Sequence, residues 1–280
     1  MPDSSPNQNI MPQQGAFMVV NITQTMVKQV RDITLRAGRV IMEVYGTDFS
    51  VDTKEDRSPV TEADLRADAL IVKAIKEEIA DTFPIISEET FEDQLTIEVA
   101  NGPFWLVDPL DGTKQFVQRN GEFTVNIALI DAGLPVLGVV HSPATSSTYW
   151  ASRYGAFAME HEESPRQINI RKMPTDGLSV CVSRSHRTSE VDAYLKAFSI
   201  KEEITSGSSI KFCMVASGRC DLYPRMGRTM EWDTAAGHAI IRFAGGTVNK
   251  LDGLPLTYGK VGFENPNFIV KGDPSIPTIP

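Results

Sequence analysis

Cysteine, positive charge and long apolar runs are all scarce in this 280-residue sequence, and each shortage removes a class of protein. The three cysteines, Cys181, Cys213 and Cys220, are odd in number, widely spaced and form no Cys-x-x-Cys pair. That pattern argues against a disulfide framework or a structural zinc site, and the expected compartment is reducing and cytoplasmic. Lys and Arg number 27 against 36 Asp and Glu, a net charge of −9. Nonspecific binding to nucleic acid or to an anionic membrane surface relies on basic patches and is therefore not expected. No apolar run approaches the roughly 20 residues that cross a bilayer. The first 20 residues hold no Lys or Arg to form a signal-peptide n-region. Residues 1–20, rich in Pro, Gln and Asn, predict a poorly ordered extension.

What is present is an apolar fraction of 41%, in a chain long enough for one large domain or two ordinary ones. An N-cap-like Asn21 opens a helical pattern through Val30, Ile33, Ala37, Ile41 and Val44 that runs to Gly46. A second helix is predicted from about Thr61, its apolar face drawn from Leu65, Ala69, Val72, Ile75 and Ile79. Then "FPIIS", "FWLV", "FTVNIALI", "PVLGVVHSP", "STYWAS" and "GAFAME" read as successive strands of a largely antiparallel sheet. Beyond about residue 160 the elements alternate. "LSVCVS", "EEITS" and "DLYPR" read as strands; "SEVDAYLKAF", "SSIKFCMVASG" and "DTAAGHAIIRFAG" read as helices. The expected class is α/β, with an α+β domain over 21–160 and an α/β domain over 161–275.

Four acidic clusters stand at junctions between elements, where loops can aim side chains into a shared cleft. They are Asp64 in "SPVTEAD", Glu88 and Glu89 in "ISEET", Asp108 and Asp111 in "VDPLDGT", and Asp233 in "EWDTAAGHA". Convergent carboxylates suit two or more hard divalent cations such as Mg²⁺, and without histidine among the donors zinc fits poorly. Three of the clusters have structural alternatives. Asp64, three residues after Thr61, can close a capping box; Glu88 and Glu89 can form a solvated loop; Asp233 can cap the helix it precedes. The segment Asp108 to Thr113 resists such a reading, because a turn closing a buried strand needs fewer carboxylates and unpaired buried charge is costly. A helix beginning after Asp111 would offer free N–H groups around Gly112 and Thr113 to an anion, with Gly112 allowing close backbone approach. Metals beside such a helix start make a phosphate-ester hydrolysis site.

In sequence order, "SPVTEAD", "SEE", "DPLDGT" and "WDTAAG" resemble the motifs of the inositol monophosphatase superfamily of Mg²⁺-dependent, lithium-sensitive phosphatases, over roughly residues 25–272. The stretches "DPLDGTKQFVQRNGEFTVNIALI", "VSRSH", "GSSIKFCMVASGRCDLYPR" and "WDTAAGHA" more closely resemble its CysQ-type 3′(2′),5′-bisphosphate nucleotidase branch. The resemblance implies a layered αβαβα sandwich with two or three Mg²⁺ ions per site. It also implies hydrolysis of adenosine 3′,5′-bisphosphate (PAP) to AMP and phosphate by a metal-activated water, in sulfate assimilation and PAP turnover. The sulfated relative, PAPS, is a further candidate substrate. Carried over by residue, the resemblance implies metal ligands at Glu88, Asp108, Asp111, Asp233 and the Leu110 carbonyl. Asp64 and Thr113 would activate the water, Gly112 and Thr113 would bind phosphate, and His186, Ser208, Lys211 and Arg225 would recognise the nucleotide.

Plainer readings of the last four stay open: Lys211 as a helix-surface lysine, Ser208 as an N-cap, His186 as a loop residue. Arg225 ends an apolar strand, which places it well for a bidentate grip on phosphate. The competing functions are an inositol monophosphatase, a haloacid-dehalogenase phosphatase, and a nucleotide-binding regulator without catalysis. The dehalogenase pattern needs a second Asp two residues after its nucleophile, where this chain has Leu110. A small-molecule substrate and a monomer or dimer are expected. Peripheral attachment to the inner membrane, as in some relatives, is left open, although no hydrophobic anchor is visible.

Overall fold

In the computed structural model, which describes residues 20–53, 59–79, 83–91, 99, 102–161 and 163–279, Thr23 rather than Asn21 starts the first helix. Its hydroxyl accepts the Met26 N–H at 3.1 Å, a bond that decides between two residues equally suited to capping. Helix α1 (Gln24–Tyr45) then buries Val30, Ile33, Ala37, Ile41 and Val44 along one face. Nearly all of the expected N-terminal extension, residues 1–19, lies outside the described residues. Strands β1 (Val51–Thr53) and β2 (Pro59–Thr61) pair antiparallel and lead into α2 (Glu62–Glu78). This helix buries Ala63, Ala67, Ile71 and Ile75, whereas Leu65 and Ala69, expected on its core face, are exposed. The face is rotated because Asp64 and Asp68 occupy buried positions on it, so the stripe read from apolar residues alone points to the wrong side.

Seven strands follow as one sheet in chain order: β3 (Ile85–Ser87), β4 (Phe104–Asp111), β5 (Thr124–Asp131), β6 (Leu134–Ser142), β7 (Ser147–Ser152), β8 (Gly155–Glu160) and β9 (Arg166–Ile168). Every pairing is antiparallel except β3 with β4. A short helix, α3 (Thr113–Val117), lies between β4 and β5. The second sheet has five strands: β10 (Leu178–Ser183), β11 (Ile200–Ser206), β12 (Leu222–Arg225), β13 (Thr247–Lys250) and β14 (Phe268–Lys271), in the order β11-β10-β12-β14-β13. Its helices are α4 (Ser189–Leu195), α5 (Ile210–Ala216) and α6 (Glu231–Ala244).

Three apolar cores join five layers, the middle core reaching both faces of the α5–α6 layer. Helices α1 and α2 cover one face of the seven-stranded sheet, α5 and α6 fill the space between the sheets, and α4 covers the far face of the five-stranded sheet. This is the αβαβα sandwich, and α6 is buried on nearly every side within it. The small residues of "TAAGHA" make that position possible. On β6 a Cβ at Gly138 would come within 2.6 Å of both the Ala236 carbonyl oxygen and the Ala239 Cβ. The sheet therefore touches the α6 backbone, and the start of α6 is brought against the end of β4. No helix of the described residues is long and apolar enough to cross a membrane.

Candidate active site

The strand that opens with "FWLV" does not stop there. β4 runs on through Asp111, and what reads as a turn in "DPLDGT" is a bulge. Asp108 stands opposite Asn126 and Asp111 opposite Thr124, so three steps along β4 match two along β5. In a regular strand two residues three apart would face opposite sides. Phe104 and Leu106 face the inter-sheet core, Trp105 and Val107 face α1 and α2, and Asp108 continues the first series. The extra residue sends Leu110 into the core beneath α1 and α2 and returns Asp111 to the side of Asp108.

Neighbouring elements complete the cluster. β3 sets Ser87 opposite Val107, and the Glu88 N–H donates to the Val107 carbonyl at 3.1 Å, which places Glu88 beside Asp108. From α6 comes Asp233. Glu88, Asp108 and Asp233 each present a carboxylate oxygen within 4.8 Å of the others. Burial, followed by the negative charges of Asp111 and Glu88, pushes the Asp233 carboxyl up to about 8. Such crowding is relieved by a cation, and an all-oxygen donor set fits a hard divalent ion. Asp111 lies outside this group of three. Its Oδ2 accepts hydrogen bonds from Ser209 Oγ at 2.8 Å, Asn126 Nδ2 at 3.4 Å and Thr124 Oγ1 at 3.5 Å.

Two of the acids use the same position in a helix. Asp64 is the third residue of α2 and Asp233 the third of α6, and Oδ2 of each accepts the N–H of its N-cap residue, Thr61 or Met230, at 2.8 Å. Capping and a role in the cleft are therefore compatible, because a carboxylate has two oxygens to divide between them. In Asp64 the second oxygen, Oδ1, accepts the Thr113 hydroxyl at 3.2 Å. Thr113 Oγ1 is also 3.3 Å from the Leu110 carbonyl oxygen. Thr113 begins α3, as expected of a helix after Asp111. Gly112 is its N-cap with φ +95°, and a Cβ there would approach the Glu122 carbonyl oxygen to 2.9 Å. Among the described residues no side-chain hydrogen bond caps α3, and Gly112, Thr113 and Lys114 at its start line the cleft.

The opposite wall is positive. Lys211 is buried rather than on the helix surface; its Nζ donates to the Ser208 carbonyl at 2.5 Å and lies 5.2 Å from the centre of the Tyr223 ring. Burial lowers its pKa to about 8, against the opposing charge of Asp111. Arg225 ends β12, buried, with Nη2 donating to the Arg228 carbonyl at 3.0 Å and Nε without a hydrogen-bond partner among the described residues. His186 is exposed at the rim. Loss of solvent on its pocket side, then the cations Arg225, Lys114 and Lys211, push its imidazole down to about 4. Ser208 has φ +43° and a buried hydroxyl without a partner among the described residues, while the N-cap of α5 is Ser209. Buried donors without partners are costly, and the two on this wall, Arg225 Nε and Ser208 Oγ, with the Lys211 ammonium beside them, suit an anionic ligand.

One cleft of about 720 Å³ is lined by Asp108, Asp111, Thr113, Lys211, Arg225 and Asp233, together with Glu88, His186 and Ser208. Sequence reading missed Ser209, Asn126 and Thr124. The signal was present in "FTVNIALI", where two polar residues two apart interrupt an apolar strand on one face.

The inositol monophosphatase family pattern matches residues 23–273. The chain belongs to this family. That span takes in every residue of the cleft named above. Over 251 residues the chain is 44% identical to 3′(2′),5′-bisphosphate nucleotidase CysQ of Escherichia coli strain K12, covering 88% of this chain and 99% of that protein. The crystal structure of CysQ from Bacteroides thetaiotaomicron, a bacterial family member, matches with a TM-score of 0.75 at 38% identity, covering 89% of this chain and 97% of that one. A Thermotoga maritima IMPase matches with a TM-score of 0.69 at 25% identity, covering 86% and 89% of the two chains.

Proposed function

We propose that this chain is a cytoplasmic Mg²⁺-dependent 3′(2′),5′-bisphosphate nucleotidase that hydrolyses adenosine 3′,5′-bisphosphate to AMP and phosphate, with two or three ions in the site. The observation that carries this reading is the pairing of two walls in one cleft, carboxylates facing Lys211 and Arg225. A ligand with two phosphates matches both walls, whereas inositol 1-phosphate has a single phosphate to offer. The 44% identity to a bisphosphate nucleotidase over most of both chains supports the same choice.

Glu88, Asp108, Asp111, Asp233 and the Leu110 carbonyl would hold the ions. When bound, Mg²⁺ lowers the pKa of water and stabilises charge on the attacking and leaving oxygens. Thr113, donating to Asp64 Oδ1, keeps a lone pair to accept a proton from water, and passes its own proton to Asp64. The N–H groups of Gly112 and Thr113 bind the departing phosphate. Ser208, Lys211 and Arg225 hold the second phosphate, and His186, neutral at pH 7, adds contact without charge.

Phosphate release from adenosine 3′,5′-bisphosphate, its sulfated relative and inositol 1-phosphate, with Mg²⁺ or with EDTA, tests the assignment. The bisphosphate is expected to exceed inositol 1-phosphate at least about tenfold in kcat/KM, the result of roughly 1.4 kcal/mol of differential binding, and EDTA to abolish both. Equal turnover of the two would favour an inositol monophosphatase. A pH effect follows from Lys211. Its ammonium is charged below about pH 8 and neutral above, so KM for the bisphosphate should rise as pH climbs through about 8. Lys211→Met should raise KM at pH 7 and flatten that rise; an unchanged pH profile would remove Lys211 from phosphate binding.

A further inference from the structure

Ser209 has no role in the mechanism above, yet its buried hydroxyl sits between the two halves of the acidic site. Its Oγ lies 2.8 Å from Asp111 Oδ2 on β4 and 2.8 Å from the Asp233 carbonyl oxygen on α6, and it accepts Asn126 Nδ2 from β5 at 2.9 Å. A serine hydroxyl has one proton and two lone pairs. With the Asn126 amide on a lone pair, that proton is shared by, or alternates between, the Asp111 carboxylate and the Asp233 carbonyl. The bond to Asp111 is charge-assisted and much the shortest that Oδ2 receives. The capping role open to a serine at a helix start is not taken up, since no side-chain cap bond is made at α5. The hydroxyl is committed to the acidic site instead.

We infer that Ser209 is a positioning residue: it fixes Asp111 on the bulged strand and the first turn of α6 relative to each other, so that Asp111 and Asp233 meet divalent cations as one set. The inference rests on reading those two aspartates as metal ligands. Without the hydroxyl, Asp111 Oδ2 keeps bonds of 3.4 and 3.5 Å, and the Asp233 carbonyl loses the hydrogen bond from Ser209. Removing one oxygen leaves the surrounding apolar packing untouched, so the loss falls on the ligands' orientation.

The test is Mn²⁺ binding followed by electron paramagnetic resonance, without substrate, on the full-length wild type, Ser209→Ala, Ser209→Cys and Ser209→Thr, with melting temperatures in EDTA. Ser209→Ala is expected to bind Mn²⁺ about 10- to 100-fold more weakly, the usual effect of removing a partner that orients a metal ligand. Cysteine, a poor donor of similar size, should be nearly as weak; threonine, which keeps the hydroxyl, should recover most of the affinity. Melting temperatures in EDTA should fall by no more than a few degrees, since Asn126 Nδ2 and Asp111 Oδ2 keep each other as partners at 3.4 Å. If the alanine variant unfolds, the cysteine and threonine pair decides the matter by the same comparison. Wild-type affinity in Ser209→Ala and Ser209→Cys would overturn the inference and leave the metal-ligand reading intact. A wild type that binds no Mn²⁺ would remove both.

Discussion

Asp233→Asn is expected to lower kcat by about a thousandfold or more, the consequence of losing roughly 4 kcal/mol of transition-state stabilisation from a metal site. The metal-free variant should nevertheless melt no lower than the wild type. Asparagine keeps an oxygen for the Met230 N–H, so the start of α6 stays capped. It also replaces an acid that the metal-free fold must keep protonated at neutral pH, since burial, Asp111 and Glu88 raise the Asp233 pKa from 3.8 to about 8. For an acid whose pKa is raised on folding, the stabilisation is complete below the unfolded value and disappears as pH rises through the folded one. Without metal, wild type should therefore lose stability relative to the variant between about pH 4 and pH 8. Mg²⁺ should raise the wild-type melting temperature by more than that of the variant, which keeps Glu88, Asp108 and Asp111 but loses one carboxylate of the cluster. Near-normal turnover in Asp233→Asn would sink the assignment of this residue to the metal site.

The contrast between a stable apo protein and a dead enzyme mirrors what can be read from the chain before folding. α1 was legible because a single apolar face decides it. α2 was misread by the same rule, since Asp64 and Asp68 share the buried face and an apolar count passes over them. The acidic residues of "DPLDGT" announced the site, but not its shape. The bulge that puts Asp108 and Asp111 on one side depends on register against β5, a partner that begins beyond α3. The adjacent serines 208 and 209 show the limit most sharply. Their chemistry is identical, and it is the left-handed backbone at Ser208 that separates their directions, turning Ser209 toward both aspartates. Lys211 is a similar case: one helical residue among several, its burial set by packing between two sheets rather than by its neighbours in sequence.

Thr113→Ala is expected to lower kcat by about 10²- to 10⁴-fold, the range for losing a positioned proton-transfer group, with little change in KM or melting temperature. Stability is spared because Thr113 begins α3 without capping it; that place belongs to Gly112. Asp64→Ala should match it in kcat but also lower stability by about 1 kcal/mol, the typical cost of a lost helix cap. Its Oδ2 accepts both the Thr61 N–H at 2.8 Å and the Thr61 hydroxyl at 2.7 Å, and the variant loses both bonds. The decisive comparison is the double variant. Two groups that pass one proton act as a unit, so removing both should cost scarcely more in kcat than removing either. Losses that multiply would mean that Thr113 and Asp64 act separately, with Thr113 holding phosphate and Asp64 serving the metal cluster. The 3.2 Å bond between them would then be a structural contact, and the proton would need another acceptor in the cleft.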